Sequence, residues 1–404
     1  MLNRRAFLLS AAAALRAEGP PKRIAAIVTE YRENSHADVI VGKYLEGYRQ
    51  NRKPPKPRSH IVSLYTAQVP ADDLSRQRAK QYRVPIFPTI PEALLMGADS
   101  LAVDGVLLIG EHGDYPLNEK GQKLYPRFQF FSEIADTFRK TGRSVPVFCD
   151  KHLSYSFAKA RRMVEISQEL KFPLMAGSSI PVAYRKPSVD TPLDAKVSHA
   201  VAISYSGLEI YGFHLLESLQ CMVERRAGGE TGVKQVQCLE NQAVWQYLDK
   251  TPWAQKLFDQ ALARSETRQP GAVRDLAKTP AVFLIDYRDG LKAAAFLLTG
   301  VVEDFTVALD IEAGPSPLSL LMQPEPGKPY GHFACLVENI ERMFETGAAT
   351  YPVERTLLTS GILDFIMESR FRGYKVLSTP ELDVRYRPDP ASHFCRKPYG
   401  AMLY

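Results

Sequence analysis

Between residues 23 and 177 the chain returns five times to a short apolar run. These are Ile24-Ala25-Ala26-Ile27-Val28, Ile61-Val62-Ser63-Leu64-Tyr65, Val106-Leu107-Leu108-Ile109, Val145-Pro146-Val147-Phe148 and Pro173-Leu174-Met175-Ala176-Gly177. Runs this short and uniformly apolar suit strands buried on both faces. Helix-forming stretches lie between them: from Asn34 or Ser35 onward, then 72–82, 90–95, 130–140 and 156–170. Both Asn34 and Ser35 are good helix caps. Strand and helix in alternation predict an α/β unit over residues 22–187, a doubly wound parallel sheet with right-handed crossovers.

The texture changes at the Pro-rich stretch 181–192. Longer alternating runs follow at 196–205, 233–239, 281–299 and 301–311, and the third holds the hairpin turn Arg288-Asp289-Gly290-Leu291. With helical periods at 214–226, 253–265, 332–346 and 353–372, residues 188–387 read as an α+β unit with an open, mostly antiparallel sheet. Residues 388–404 have no periodicity and form an irregular tail.

Charge excludes some partners. The net charge of +6 comes from 51 Lys and Arg against 45 Asp and Glu. Three of the basic residues, Arg4, Arg5 and Arg16, lie in the first 17 positions, so the remainder balances 48 against 45. That is too even for a nucleic-acid or anionic-membrane binder. The opening Arg4-Arg5-Ala6-Phe7-Leu8-Leu9 before an alanine run resembles a twin-arginine export signal over residues 1–17, which predicts a periplasmic protein. No later stretch is apolar for long enough to be an integral membrane segment. The five cysteines are dispersed and form no C-x-x-C pair, so buried thiols are expected.

In an open parallel sheet, ligands bind beyond the carboxyl ends of the strands. Three of the apolar runs end in ionisable groups. The first leads through Thr29 and Ser35 to His36, the third gives Glu111-His112-Gly113-Asp114, and the fourth gives Asp150-Lys151-His152. A lysine crowded at such an edge can have a lowered pKa and act as a base or proton donor. His112, Asp114 and His152 have ligand-type atoms for a divalent metal, although their spacing matches no metal motif.

Three passages resemble the glucose–fructose oxidoreductase / inositol dehydrogenase (Gfo/Idh/MocA) family. Asp150-Lys151-His152-Leu153, with the helix and strand after it, is similar to the family's Glu-Lys-Pro strand end. Tyr211-Gly212-Phe213-His214-Leu215-Leu216-Glu217 is similar to its Gly-x-His-x-x-Asp segment. Thr379-Pro380-Glu381-Leu382 is similar to its closing strand. The resemblance implies a Rossmann-like domain followed by a second domain whose open sheet often mediates oligomerisation. The implied activity is hydride transfer at a secondary alcohol of a sugar or polyol, with NAD or NADP as cofactor. Lys151 would then position the hydroxyl and His214 would move its proton. Asp150, His152, Glu111, His112, Asp114 and Glu217 would surround the substrate, with Thr29, Ser35 and His36 toward the cofactor. A homo-oligomer is implied as well.

One departure sets up an alternative. The turn Thr29-Glu30-Tyr31-Arg32-Glu33-Asn34-Ser35 has no glycine, whereas nicotinamide-binding relatives let bare backbone approach the pyrophosphate there. A cofactor-independent or metal-dependent lyase, hydratase or epimerase on the same scaffold is the first alternative. A non-catalytic carbohydrate-binding or assembly protein is the second.

Overall fold

A computed structural model describes residues 19–312 and 317–400. The twin-arginine stretch lies outside the described residues.

The first unit runs β1 (Arg23–Val28), α1 (His36–Glu46), β2 (His60–Thr66), α2 (Ser75–Tyr82), α3 (Ile90–Leu95), β3 (Gly105–Ile109), α4 (Arg127–Thr141), β4 (Val147–Asp150), α5 (Phe157–Glu169) and β5 (Leu174–Gly177). Its sheet is parallel throughout, in the order β2-β1-β3-β4-β5. Every residue of β3 and β4 is buried, as continuously apolar runs require. Ser35 caps α1, its Oγ accepting from Asp38 N–H.

The second unit contributes β6 (Tyr184–Lys186), β7 (Val197–Ser204), α6 (Ile210–Val223), β8 (Val233–Glu240), α7 (Gln242–Lys250), α8 (Pro252–Leu262), α9 (Val273–Leu276), β9 (Ala281–Tyr287), β10 (Lys292–Leu297), β11 (Phe305–Ile311), β12 (Leu318–Gln323), α10 (Gly331–Thr346), α11 (Val353–Phe371) and β13 (Leu377–Ser378). Its sheet has the order β13-β8-β9-β10-β7-β11-β12-β6 and is antiparallel except where β7 meets β10. The β9–β10 turn falls at Arg288–Leu291, with Gly290 at φ +97°.

One apolar core joins the two units. Residues of α4 and α5 under the first sheet continue into α6 and α11 under the second. The opposite face of the first sheet is covered by α1 and by α10, which comes from the second half of the chain. Gly105 opens β3 because Phe344 of α10 lies 2.6 Å from where its Cβ would be. The outer face of the second sheet is covered by α7 and α8, with Trp245 buried there and Trp253 stacked on His199 at 4.5 Å.

Two elements differ from expectation. The segment expected to open at His214 begins one turn earlier, at Ile210, so His214 lies inside α6. Gly212, within that first turn, lets Phe283 approach, 2.8 Å from where a Cβ would sit. The strand expected over 301–311 begins at Phe305, after a turn through Gly300 at φ +92°.

A buried ion pair ties α11 to α6. Arg355 donates to Glu224 through Nε at 2.8 Å and through Nη2, and the Tyr386 hydroxyl donates to the same carboxylate at 2.9 Å. Arg355→Met leaves Glu224 buried and uncompensated, and should lower unfolding free energy by about 3–5 kcal/mol. Denaturant titration would show this, with Arg355→Met/Glu224→Leu recovering most of the loss.

Candidate active site

The carboxyl ends of β1, β3, β4 and β5 meet the first turns of α6 and α10. At the end of β4 the backbone turns sharply, and Lys151 takes a left-handed conformation with φ +66°. A lysine adopts this at some cost, so the surrounding contacts hold it there. One of them is the Lys151 N–H, which donates to Gly177 O at 3.2 Å. Gly177 is itself required: it has φ +127°, and a Cβ would lie 2.6 Å from Glu217 Oε2.

Lys151 is 3 % exposed, and its Nζ lies 2.5 Å from His214 Nε2 and 3.7 Å from Glu111 Oε1. Glu111 also accepts from Arg127 Nη2, and Arg127 Nη1 lies 3.2 Å from His152 Nε2. Gly110 lets the arginine stem pass, since a Cβ there would meet Arg127 Cγ at 2.6 Å. On its other ring nitrogen, His214 Nδ1 lies 2.6 Å from Ser178 Oγ. His36, the first residue of α1, places Nδ1 2.7 Å from Asp150 Oδ2.

Burial sets the protonation states. It pushes the Lys151 ammonium down, and Glu111 and Asp150 only partly oppose this. It also holds His214 and His152 well below the ordinary histidine value, with Lys151 adding to the effect at His214 and Arg127 at His152. His112 is pushed down to about 4 by burial and by His36. Burial would raise Glu111, but Lys151 and Arg127 outweigh it and hold the carboxyl at about 2. The floor of the site is therefore a carboxylate paired with a guanidinium, beside a lysine and a histidine whose affinity for a proton is lowered by burial.

A cleft of about 620 Å³ opens above this floor. His36, Tyr211, His214, Asp304, His332 and Phe333 line it. Lys151, His214, Glu111, His152, Asp150 and His36 thus gather as expected. His112 stands at the edge, its ring 5.4 Å from that of His36. Asp114 is not brought in: it is exposed, and its backbone N–H and C=O pair with the Gln68 side chain. Glu217 is fully enclosed, accepting from the hydroxyls of Thr359 and Thr356 and, at 3.4 Å, from Ser178 N–H. It holds Ser178 rather than touching His214. The metal alternative is corrected: among the described residues no group of three His, Cys, Asp or Glu could hold a metal ion. His152 is turned to Arg127, and Asp114 points away from it.

Sequence reasoning did not single out Arg127, Ser178, Tyr211 or His332 as site residues. Ser178 follows the end of β5 and could have been found by the strand-end rule. Arg127 opens a helix and carries no motif.

The residues at the β1–α1 turn do not fit a dinucleotide held in the usual way. That mode needs free amides at the helix start and bare backbone beneath the pyrophosphate. Here Ser35 Oγ takes the Asp38 N–H, and the fully buried Asp38 carboxylate takes the Asn34 N–H at 3.1 Å. Arg78 and Lys328 approach the same carboxylate at 3.4 and 3.9 Å. Tyr31 is fully buried, with Leu74 N–H bonded to its carbonyl at 2.7 Å. Of the three residues expected toward the cofactor, Thr29 spends its hydroxyl on Glu111 O, Ser35 is the cap, and His36 pairs with Asp150.

No protein-family model and no curated protein matches the sequence. Solved structures do match the fold. GenD2 from gentamicin A biosynthesis, solved with NAD, superposes with a TM-score of 0.56 at 13 % identity, over 89 % of this chain and 97 % of that one. A scyllo-inositol dehydrogenase from Lactobacillus casei gives 0.56 at 11 % identity, over 89 % and 98 %. A myo-inositol 2-dehydrogenase from Lactobacillus plantarum gives 0.52 at 12 %, over 89 % and 99 %. The chain has the two-unit fold that the Gfo/Idh/MocA resemblance implied.

Glu111→Gln tests the electrostatics of the floor. Because the native carboxyl is depressed, its contribution to stability is present above its ordinary value of 4.5 and lost as pH falls through about 2. The variant leaves Arg127 buried without its anion and should be less stable by about 3–5 kcal/mol at pH 7. Stability measured against pH should show the gap narrowing only below pH 4.5. A gap independent of pH would contradict the assignment.

Proposed function

We propose that this chain is an enzyme acting on a sugar- or polyol-like small molecule in the cleft, with Lys151 and His214 exchanging a proton with the substrate. The observation that carries this is the 2.5 Å contact of the buried Lys151 with His214, which lines a cleft wide enough for a ring-sized ligand. Burial favours the neutral form of both, so either can accept a proton. The Glu111 carboxylate, 3.7 Å from Lys151, stabilises the ammonium that forms when the lysine does so. Ser178 fixes the ring of His214 from the other side, and Glu217 fixes Ser178.

The net reaction we favour is redox-neutral: an epimerisation, dehydration or related elimination beginning with removal of a proton from the carbon next to a carbonyl. The self-capped β1–α1 turn supports it. Hydride transfer at a secondary alcohol is the second reading, favoured by the fold neighbours, of which GenD2 was solved with NAD. It requires NAD or NADP to be held elsewhere than on that turn. Export to the periplasm through the N-terminal twin arginine and assembly into a homo-oligomer belong to the proposal; cell fractionation and light scattering check them.

The test uses the full chain with a panel of inositols, aldoses and ketoses in deuterated water. Carbon-bound hydrogen exchange is followed by NMR, and nicotinamide is sought by mass spectrometry in the denatured protein. Exchange without nicotinamide is expected. Lys151→Met and His214→Asn should each slow it by about 10²–10⁴-fold while circular dichroism stays native. Stoichiometric nicotinamide released with dehydrogenase turnover would overturn the redox-neutral version. Turnover unchanged in both variants would overturn the catalytic reading.

A further inference from the structure

The tail beyond residue 387 is fastened to the wall of the cleft, and two cysteines meet at the fastening. Cys335 is on the second turn of α10 and Cys395 is in the tail; they are 2 % and 6 % exposed. Their thiols are hydrogen-bonded to each other. Contacts not involving sulfur hold the two backbones in place. Cys395 N–H donates to Val182 O at 2.9 Å. The Asn339 side-chain amide, one turn beyond Cys335, donates to Cys335 O at 2.8 Å and to His393 O at 3.1 Å. The other cysteines, Cys149, Cys221 and Cys238, lie on β4, α6 and β8.

The tail reaches the cleft four residues further on. The Tyr399 hydroxyl accepts from Tyr184 N–H at 3.0 Å and donates to Gln323 O. The Tyr399 ring occupies the space beside Gly331, where a Cβ would lie 2.4 Å from the ring. Gln323, Tyr330 and His332 line the cleft, so the tail braces the segment that forms its wall.

We propose that Cys335 and Cys395 are a peroxide-sensitive thiol pair, and that their disulfide clasps the tail onto α10 and so rigidifies the cleft wall. The Cys395 sulfur attacks the O–O bond of hydrogen peroxide, forming an S–O bond and releasing one water. The Cys335 sulfur then attacks that sulfenic sulfur; the S–S bond forms, the S–O bond breaks and a second water leaves. The two thiols give up two electrons and two protons, and one peroxide becomes two waters. Cys395 is the better attacking thiol, since the hydrogen bond from Cys335 holds it below the ordinary cysteine value. Burial pushes Cys149, Cys221 and Cys238 up to about 12, and the hydrogen bond to Cys395 together with burial pushes Cys335 up as well, so Cys395 is the thiol that meets peroxide first. This inference is independent of the reaction proposed above.

The full-length protein is treated with one equivalent of hydrogen peroxide, denatured, alkylated with iodoacetamide and mapped by peptide mass spectrometry. A cross-linked peptide pair carrying Cys335 and Cys395 is expected, with Cys149, Cys221 and Cys238 alkylated. Sulfinic acid at Cys395 with Cys335 still alkylated, or a cross-link through another cysteine, would overturn the pair. Carboxypeptidase trimming of native protein then reads the clasp. Oxidised wild type should be trimmed past Cys395 several-fold more slowly than the reduced protein, and Cys395→Ser should be indifferent to peroxide. Equal trimming of oxidised and reduced wild type would overturn the clasp.

Discussion

The buried Glu111–Arg127 pair is what permits a lysine inside this protein. An unpaired charge in such a place is costly, and a carboxylate satisfied by a guanidinium is tolerated. Arg127 has no solvent exposure and pairs with Glu111, and the same carboxylate lies within reach of Lys151, whose ammonium burial disfavours. It is left as a desolvated amine against His214, with a carboxylate within reach for the moment it becomes protonated. Other features of the site follow from this arrangement. Gly110 makes room for the arginine stem, the left-handed turn at Lys151 aims the amine across the sheet edge, and Gly177 leaves space for Glu217 behind it.

The first sheet was legible because its information is local. Five apolar runs, each too short for a helix and bounded by polar or glycine residues, leave few alternatives to parallel strands. The polar ends at Glu111, Asp150 and His36 converge for the same reason: a parallel sheet brings the carboxyl ends of its strands to one edge. Arg127 was not legible, because its role depends on the first residue of a helix packing beneath a neighbouring strand end. No spacing along the chain encodes that. Gly212 is a similar case, since the close approach of Phe283 from β9 is a contact no spacing along the chain encodes. Asp114 was over-read. It lies beside Glu111 and His112 in sequence, but the positive φ at His112 and Gly113 turns the chain outward, and Gln68 then pins it at the surface.

The glycine-free turn was visible from the outset, but what replaces the glycines was not. A helix N-terminus in this fold presents amides that need an acceptor. In a dinucleotide-binding relative the pyrophosphate supplies it. In this chain the Ser35 cap takes the Asp38 N–H, the Asp38 carboxylate takes the N–H of Asn34 just before the helix, and Arg78 and Lys328 lie against that carboxylate.

Fold and cofactor binding rest on different parts of such a chain. The strand order and helix placement that define the fold are fixed by apolar burial, which is indifferent to what sits at the mouth of α1. Cofactor binding depends on a few backbone positions that must stay open. Where such relatives have glycine, this chain has a fully buried Tyr31 and, at the start of α1, a fully buried Asp38 against Arg78 and Lys328. The Lys151–His214 floor has no such dependence, because its geometry is set by Glu111, Arg127, Ser178 and Glu217, none of which touches Asp38. The arrangement at the floor therefore does not depend on Asp38.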